Sequence, residues 1–171
     1  MNHLEFQIEV YPLKNKLFRF AKRLVDHTEE AEDIVQEVFI KLWNRRETLA
    51  AYRSIEALAM TTTKNMCLDR IKKRRYPVER FEDHRMYLES LPMETKTDYS
   101  DELRRVQRAM DELPEQQKMI IHLRDVEGYE FEYIAGILDM QENAVRVNLS
   151  RARKKIRERI TEGKSYEYQR N

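Results

Sequence analysis

Ser150, Arg151 and Lys154 are spaced so that one helix face would carry a hydroxyl, a guanidinium and an ammonium together, with Arg146 at its edge. Such groups do two kinds of chemistry on nucleic acid. Cations neutralise phosphates, and an arginine fork or a hydroxyl hydrogen-bonds base edges. The intervening residues support the helix. Val145, Leu149, Ala152, Ile156 and Ile160 recur at three- and four-residue intervals and so share the opposite side, while Val147 joins the outward one. Seven basic residues stand between Arg146 and Arg159 against a single acid, Glu158. A shorter apolar-periodic run from Phe131 precedes this helix across a tight turn. Helix, turn and a basic-faced second helix form the pattern with which a helix-turn-helix reads DNA.

Two further constellations lie upstream. Asp33, Gln36, Glu37 and Ile40 fall at i, i+3, i+4 and i+7 of the segment DIVQEVFIKLW, forming a patch away from its apolar side. Acids on a helix commonly just face solvent, yet an isoleucine inside the acidic stripe suits a partner surface. Leu58, Asn65, Asp69 and Lys72 share a second stripe, which runs into the cluster Lys72, Lys73, Arg74 and Arg75. Asn65 and Asp69 are poor helix formers whose side chains could bond base edges while the cations hold phosphates. The competing account is a solvated face with a basic last turn that complements the helix dipole. Periodicity alone leaves both open.

Catalytic constellations are not expected. His3, His27, His84 and His122 have no metal-ligand spacing, Cys67 has no histidine nearby in sequence, and no glycine-rich loop could cradle a phosphate. Asp33 and Glu37 as an exposed pair would repel mildly rather than work as acid and base. No cofactor and no metal are predicted, and the chain is expected not to be an enzyme.

The elements that must position these residues are helical. The 171 residues hold three Gly, four Pro and 37% charged residues, which favours long helices over a turn-rich β fold. One cysteine excludes an intramolecular disulfide framework, and no apolar run reaches membrane-spanning length, so a cytoplasmic chain without signal peptide or anchor is expected. The net charge of +1 conceals a basic–acidic–basic layout. Residues 1–75 hold 15 Lys/Arg against 11 Asp/Glu, residues 76–102 hold 3 against 8, and residues 103–171 hold 14 against 12.

Helical stripes run along Leu13, Leu17, Phe20, Ala21 and Leu24, then along Ile34, Val35, Val38, Phe39 and Leu42, then along Ile55, Ala59, Thr62 and Met66. Asp26 or Thr28 is expected to cap the second of these. Residues 76–102, acidic and aperiodic with Pro77 and Pro92, are predicted to be a flexible linker. Val106, Ala109, Met110 and Leu113 open a second unit, Pro114 starts its next helix, and Gly128 marks the break before the helix-turn-helix. The tail after Gly163 is expected to fray. The fold class is therefore all-α, with two small helical domains, 1–75 and 103–171, joined by 76–102.

The blocks AEDIVQEVFIKLW, KNMCLDRIKKRR and LPEQQKMIIHLRDVEGYEFEYIAGILDMQENAVRVNLSRARKKIRE, in this order and spacing, resemble bacterial RNA polymerase sigma factors of the extracytoplasmic-function type. Such factors keep only regions two and four. The resemblance covers about residues 10–75 and 103–160. It implies that Asp33, Gln36, Glu37 and Ile40 dock on core RNA polymerase at the β′ clamp coiled coil, with the β flap as the further contact. It implies that the third helix and the loop before it, about Arg46 to Ile55, read the −10 element as single strand, with Asn65, Asp69, Lys72, Lys73 and Arg74 in that region. It maps −35 readout onto Arg146, Val147, Ser150 and Arg151, with Lys154 beside them. An anti-sigma factor is a further implied partner besides promoter DNA, and direct membrane insertion is not. Three positions depart from the family pattern: Leu58 stands where many relatives carry a bulky aromatic, Asp139 replaces a common turn glycine, and Gln141 replaces a Ser or Thr cap.

Two other functions fit parts of the chain. A one-component regulator would share the helix-turn-helix but would not need the DIVQEVFIKLW helix. A helical protein-binding adaptor would leave the basic face at Arg151 and Lys154 without a purpose.

Overall fold

The computed structural model describes the backbone of residues 1–75 and 101–168, and the side chains of residues 1–75 and 103–161. Eight α-helices, and no strand, occur among the described residues: α1 (His3–Glu9), α2 (Lys14–Val25), α3 (Thr28–Asn44), α4 (Ile55–Arg75), α5 (Asp101–Asp111), α6 (Glu115–Ile121), α7 (Phe131–Leu138) and α8 (Glu142–Tyr168). The expected linker lies outside the described residues except for its last two, which begin α5. Helix α8 continues through Gly163 to Tyr168, beyond the expected point of fraying.

The first unit is a bundle of α2, α3 and α4 with α1 laid across one end. Leu17, Phe20, Leu24, Ile34, Val38, Leu42, Ala59 and Met60 fill its interior. Helix α1 is not marked by any long apolar stripe. A reciprocal cap builds it: the Glu5 N–H donates to Asn2 Oδ1 at 2.9 Å, and the Asn2 N–H donates to Glu5 Oε2 at 2.8 Å. Phe6 then anchors it, edge-on to Trp43 at 5.1 Å between centroids.

The cap expected for α3 differs from what forms. Asp26 instead ends α2 in the left-handed region (φ 61°), and His27 occupies the N-cap position without a side-chain hydrogen bond. Two residues cannot both close one helix and leave room for a longer connection, so the turn is reduced to Asp26 and His27. Asp tolerates the left-handed backbone better than most residues, which makes so short a turn feasible. Within α4, Thr62 and Thr63 return their hydroxyls to the carbonyls of Leu58 and Ala59, at 2.7 and 2.8 Å. That satisfies Thr63, which is fully buried.

The second unit packs α5, α6 and α7 around α8. Helix α6 runs into a π-helical turn, His122–Val126, and Gly128 (φ 77°) reverses the chain, so that the Tyr129 N–H reaches the Leu123 carbonyl at 2.9 Å.

The two units share a face rather than standing apart. Helices α2 and α6 pack together, as do α4 and α7, and one hydrophobic cluster runs from Phe6 to Ala152. Polar groups close the rim. Arg19 grips Glu127 with two hydrogen bonds of 2.9 and 2.8 Å, Lys16 pairs with Glu56 at 2.5 Å, Tyr129 donates to Glu56, and Arg23 pairs with Asp111. Deeper in, the Phe20 and His122 rings lie 5.6 Å apart.

Candidate nucleic-acid interface

Helix α8 presents the face expected of a reading helix. Val145, Leu149 and Ala152 are buried against the rest of the second unit, while Arg146, Val147, Ser150, Arg151 and Lys154 are exposed. The turn before it is set by Asp139, in the left-handed region (φ 54°) where a glycine would be most at ease. Gln141 offers its main-chain carbonyl to the Val145 N–H at 3.1 Å, but its side chain makes no capping bond among the described residues.

The basic residues of α8 divide by what they touch. Arg153 is held by Asp125 at 3.0 and 2.5 Å, and Arg159 pairs with Glu112, so both brace the unit. Arg151 has no ion pair or hydrogen bond among the described residues, and Lys154 has only a 3.8 Å approach to Glu158. Arg146 is neither free nor buried. Its guanidinium stacks 3.9 Å above the Phe131 ring centroid and pairs with Glu142 at 2.5 Å. Phe131, at the start of α7, is therefore a platform that fixes the Arg146 guanidinium. Periodicity placed Phe131 on a helix but held no sign of this stacking, because the two residues meet only through the fold.

On α4, Asn65, Asp69, Lys72 and Lys73 are exposed along the outer side. Arg74 is exposed too but turns back to pair with Glu30, so part of its charge is spent on α3. The loop before α4 is tethered at both ends. Leu49 is fully buried, Arg46 stacks 4.6 Å over Trp43, and Ser54 lies 2.9 Å from the Tyr133 hydroxyl, oxygen to oxygen. Between those anchors Tyr52 and Arg53 are exposed. Leu58 is packed against the core rather than presented outward.

On α3, Asp33, Gln36 and Ile40 are exposed, Ile40 at 59%. Glu37 is half-buried and bound by Arg70 of α4 at 2.5 Å. Beside them opens a groove of about 760 Å³, lined by Tyr11, Phe18, Val35, Phe39 and Ile40 with Lys14, Asn15, Glu32 and Gln36. The sequence marked Ile40 but not this groove, since Tyr11 and Phe18 reach it from another helix and its leading turn.

Among the described residues no group of three His, Cys, Asp or Glu could hold a metal ion. Cys67 is buried in α4, and burial pushes its thiol up to about 12, far from a nucleophilic thiolate at neutral pH. No helix among the described residues is long and apolar enough to cross a membrane.

Known proteins match this arrangement part by part. Residues 11–76 match the family model for sigma-70 region 2, and residues 103–156 match that for sigma-70 region 4. The RNA polymerase sigma-H factor of Pseudomonas aeruginosa is 31% identical over 165 residues, covering 88% of this chain and 83% of that protein. The ECF RNA polymerase sigma-E factor of Escherichia coli K12 is 29% identical over 168 residues, covering 91% and 86%. In fold, the chain resembles the sigma factor RpoE from Bartonella quintana in its complex with the anti-sigma factor NepR (TM-score 0.70, 22% identity, 92% and 97% covered). It also resembles CnrH in complex with the cytosolic domain of CnrY (TM-score 0.63, 20% identity, 91% and 86% covered). A helix with an exposed basic face on one unit, an exposed polar stripe on the other, matches to region 2 and region 4 in order, and relatives aligned over most of the chain converge: the chain belongs to the sigma-70 family, as an RNA polymerase sigma factor of the extracytoplasmic-function type.

Proposed function

We propose that this sigma factor divides promoter recognition among three faces. Arg146, Val147, Ser150, Arg151 and Lys154 of α8 read the −35 element in the major groove. Asn65, Asp69, Lys72 and Lys73 of α4, with the Tyr52–Arg53 loop, engage the −10 element, and Arg74 assists once released from Glu30. Asp33, Gln36 and Ile40, with Glu37 behind them, bind core polymerase. The observation that carries this reading is the split of basic residues on α8. Arg153 and Arg159 are exposed but committed to Asp125 and Glu112, and Arg146 to Glu142 and the Phe131 ring. Arg151 is exposed with no ion pair or hydrogen bond among the described residues and is left available for DNA.

Bond-making then belongs to the polymerase, and this chain supplies binding energy and specificity from the cytoplasm. Of the proteins similar in fold, RpoE was seen with the anti-sigma factor NepR bound, and CnrH with the cytosolic domain of CnrY. By analogy, an anti-sigma factor would restrain this chain too, and residues 76–102 would connect the two reading units.

The shared face between the units bears on how the factor works. Elements near −10 and −35 lie some 25 base pairs apart, or roughly 85 Å along B-DNA. A compact chain of this length has a radius of gyration of about 15 Å. Packed as they are, with α4 touching α7, the units cannot reach both elements together. Reading a promoter therefore requires them to part, and the energy must come from polymerase and DNA.

The experiment is promoter-specific transcription by purified core polymerase with and without the chain. Initiation that depends on both promoter elements is the expected result. Tight operator binding by the chain alone, with repression or no initiation, would instead support a one-component regulator.

A further inference from the structure

We propose that α1 extends the polymerase-binding face of α3, with Leu4 and Ile8 seated against a basic-flanked, apolar-faced helix of core RNA polymerase. This rests on the assignment of Asp33, Gln36 and Ile40 to polymerase made above. Leu4, Ile8 and Tyr11 are 64%, 66% and 58% exposed, and they fall at i, i+4 and i+7. Leu4 and Ile8 stand one turn apart on α1, and Tyr11 opens the 3-10 turn that follows. Single exposed apolar residues are ordinary, but three in such close succession are not.

The row is rigidly held. The Asn2–Glu5 cap fixes the start of α1, and its inner side is fastened by Phe6 against Trp43 and Phe39 and by His3 against Trp43 at 5.7 Å. Leu4 and Ile8 thus project from a placed element, not from a loose end. The row also leads somewhere. Tyr11 lies 6.0 Å from Phe39, and both line the groove whose far wall is Ile40. Leu4 and Ile8 thus lie on the helix that leads into Tyr11, and Tyr11, Phe39 and Ile40 line an apolar groove of the kind that takes one helix lengthwise.

Charge selects the partner. Glu32 lines the groove with Lys14, and two further exposed acids stand nearby in sequence, Glu9 beside Ile8 and Asp33 beside Glu32. An occupant with basic residues beside its apolar seam complements that border. Leu4 and Ile8 also precede residue 11, where the match to sigma-70 region 2 begins, so this contact is a property of the chain's own N-terminal helix.

The test is equilibrium binding of the full-length chain to purified core polymerase. The double variant Leu4→Glu/Ile8→Glu is expected to bind at least about tenfold more weakly, the scale of losing one or two buried aliphatic side chains. Leu4→Gln/Ile8→Gln should weaken binding as well, because apolar surface is lost without added charge. Both variants should keep the parent's thermal melting, since the replaced side chains are exposed. Parental affinity for core polymerase in both variants overturns the proposal, whatever else changes. A shift only in self-association, or only in affinity for an anti-sigma factor, overturns it equally. Asp33→Lys, measured in parallel, separates the two assignments. If it weakens core binding and the α1 variants do not, the extension alone falls. If it has no effect while the α1 variants weaken binding, the α3 assignment falls and α1 remains a polymerase contact.

Discussion

Lys64 of α4 donates from its ammonium to the main-chain carbonyl of Ile137 at the end of α7, 3.0 Å away, across the boundary between the two units. The side chain is 9% exposed, and burial holds its pKa below the usual lysine value against the pull of Asp139. A helix C-terminus is a favourable place for a cation, and the Ile137 carbonyl there lacks an intrahelical partner. Lys64 is thus a polar latch between α4 of the first unit and α7 of the second.

Lys64→Met keeps the stem and removes the donor. It is expected to weaken the packed arrangement by about 1–2 kcal/mol, the usual scale for a hydrogen bond from a charged group less the relief of burying it. Energy transfer between fluorophores on the two units reads this directly, as a larger open fraction in the free chain. An unchanged transfer efficiency would remove Lys64 from the latch.

Acid should loosen the same face. His122 is 3% exposed and lies against Phe20, with Arg19 and Arg23 from α2 and Glu127 from its own unit around it. Burial lowers its pKa from 6.5 to about 4, outweighing the attraction of Glu127, whose oxygen is 3.3 Å from Nε2 without hydrogen-bond geometry. A histidine whose folded pKa is depressed binds its proton more readily once exposed. Its contribution is therefore complete above about pH 6.5 and is lost as pH falls towards about 4. The full shift corresponds to about 3 kcal/mol as an upper bound. Glu127 is itself held below the usual carboxylate range, because the hydrogen bonds and charge of Arg19 outweigh its burial, so it stays ionised through most of that window. The expected outcome is a rising open fraction between pH 7 and pH 5 that His122→Phe abolishes. A flat response would show that His122 stays buried when the units part.

What could be read from the sequence depended on whether a residue's role is local. The outward face of α8 was legible because Val145, Leu149 and Ala152 had to turn inward, which fixed Ser150 and Arg151 by rotation alone. The first bundle was legible for the same reason. Lys64 was not, because a lysine amid threonines and asparagine on a helix gives no sign of burial until another helix supplies a carbonyl. His122 looked like one of four scattered histidines, and only packing against α2 gives it significance. Helix α1 was too short for periodicity to mark, and its Phe6 anchor has meaning only once the fold brings Trp43 and Phe39 against it.

Charge reversal on α3 should separate polymerase binding from internal stability. Asp33 is exposed, whereas Glu37 also binds Arg70 of α4. Asp33→Lys/Glu37→Lys is expected to abolish assembly with core polymerase, read by co-elution on gel filtration. Asp33→Lys should keep the parent's melting temperature, while Glu37→Lys should lower stability by up to about 1 kcal/mol, the scale of a partly exposed ion pair. Arg70→Ala is the control for that internal share. Normal assembly of the double variant would exclude this face from the polymerase contact.

Readout by α8 can be resolved residue by residue, since its arginines differ in what they already hold. Arg151→Ala is expected to weaken −35 binding by about 1–3 kcal/mol, the scale of a direct base contact. A base contact also relaxes preference at one promoter position, whereas a phosphate contact weakens all sequences alike and lowers the salt slope by about 1. Arg153→Ala should leave promoter preference intact and lower stability instead, because Arg153 is committed to Asp125. Arg146→Lys should lose preference despite keeping its charge, because an ammonium cannot reproduce the planar stack on Phe131. Transcription by the three holoenzymes from a panel of −35 variants, at two salt concentrations, measures all of these at once. Unchanged transcription with Arg151→Ala across that panel would move the reading face off Arg151, leaving Arg146 and its Phe131 platform as the contact to test next.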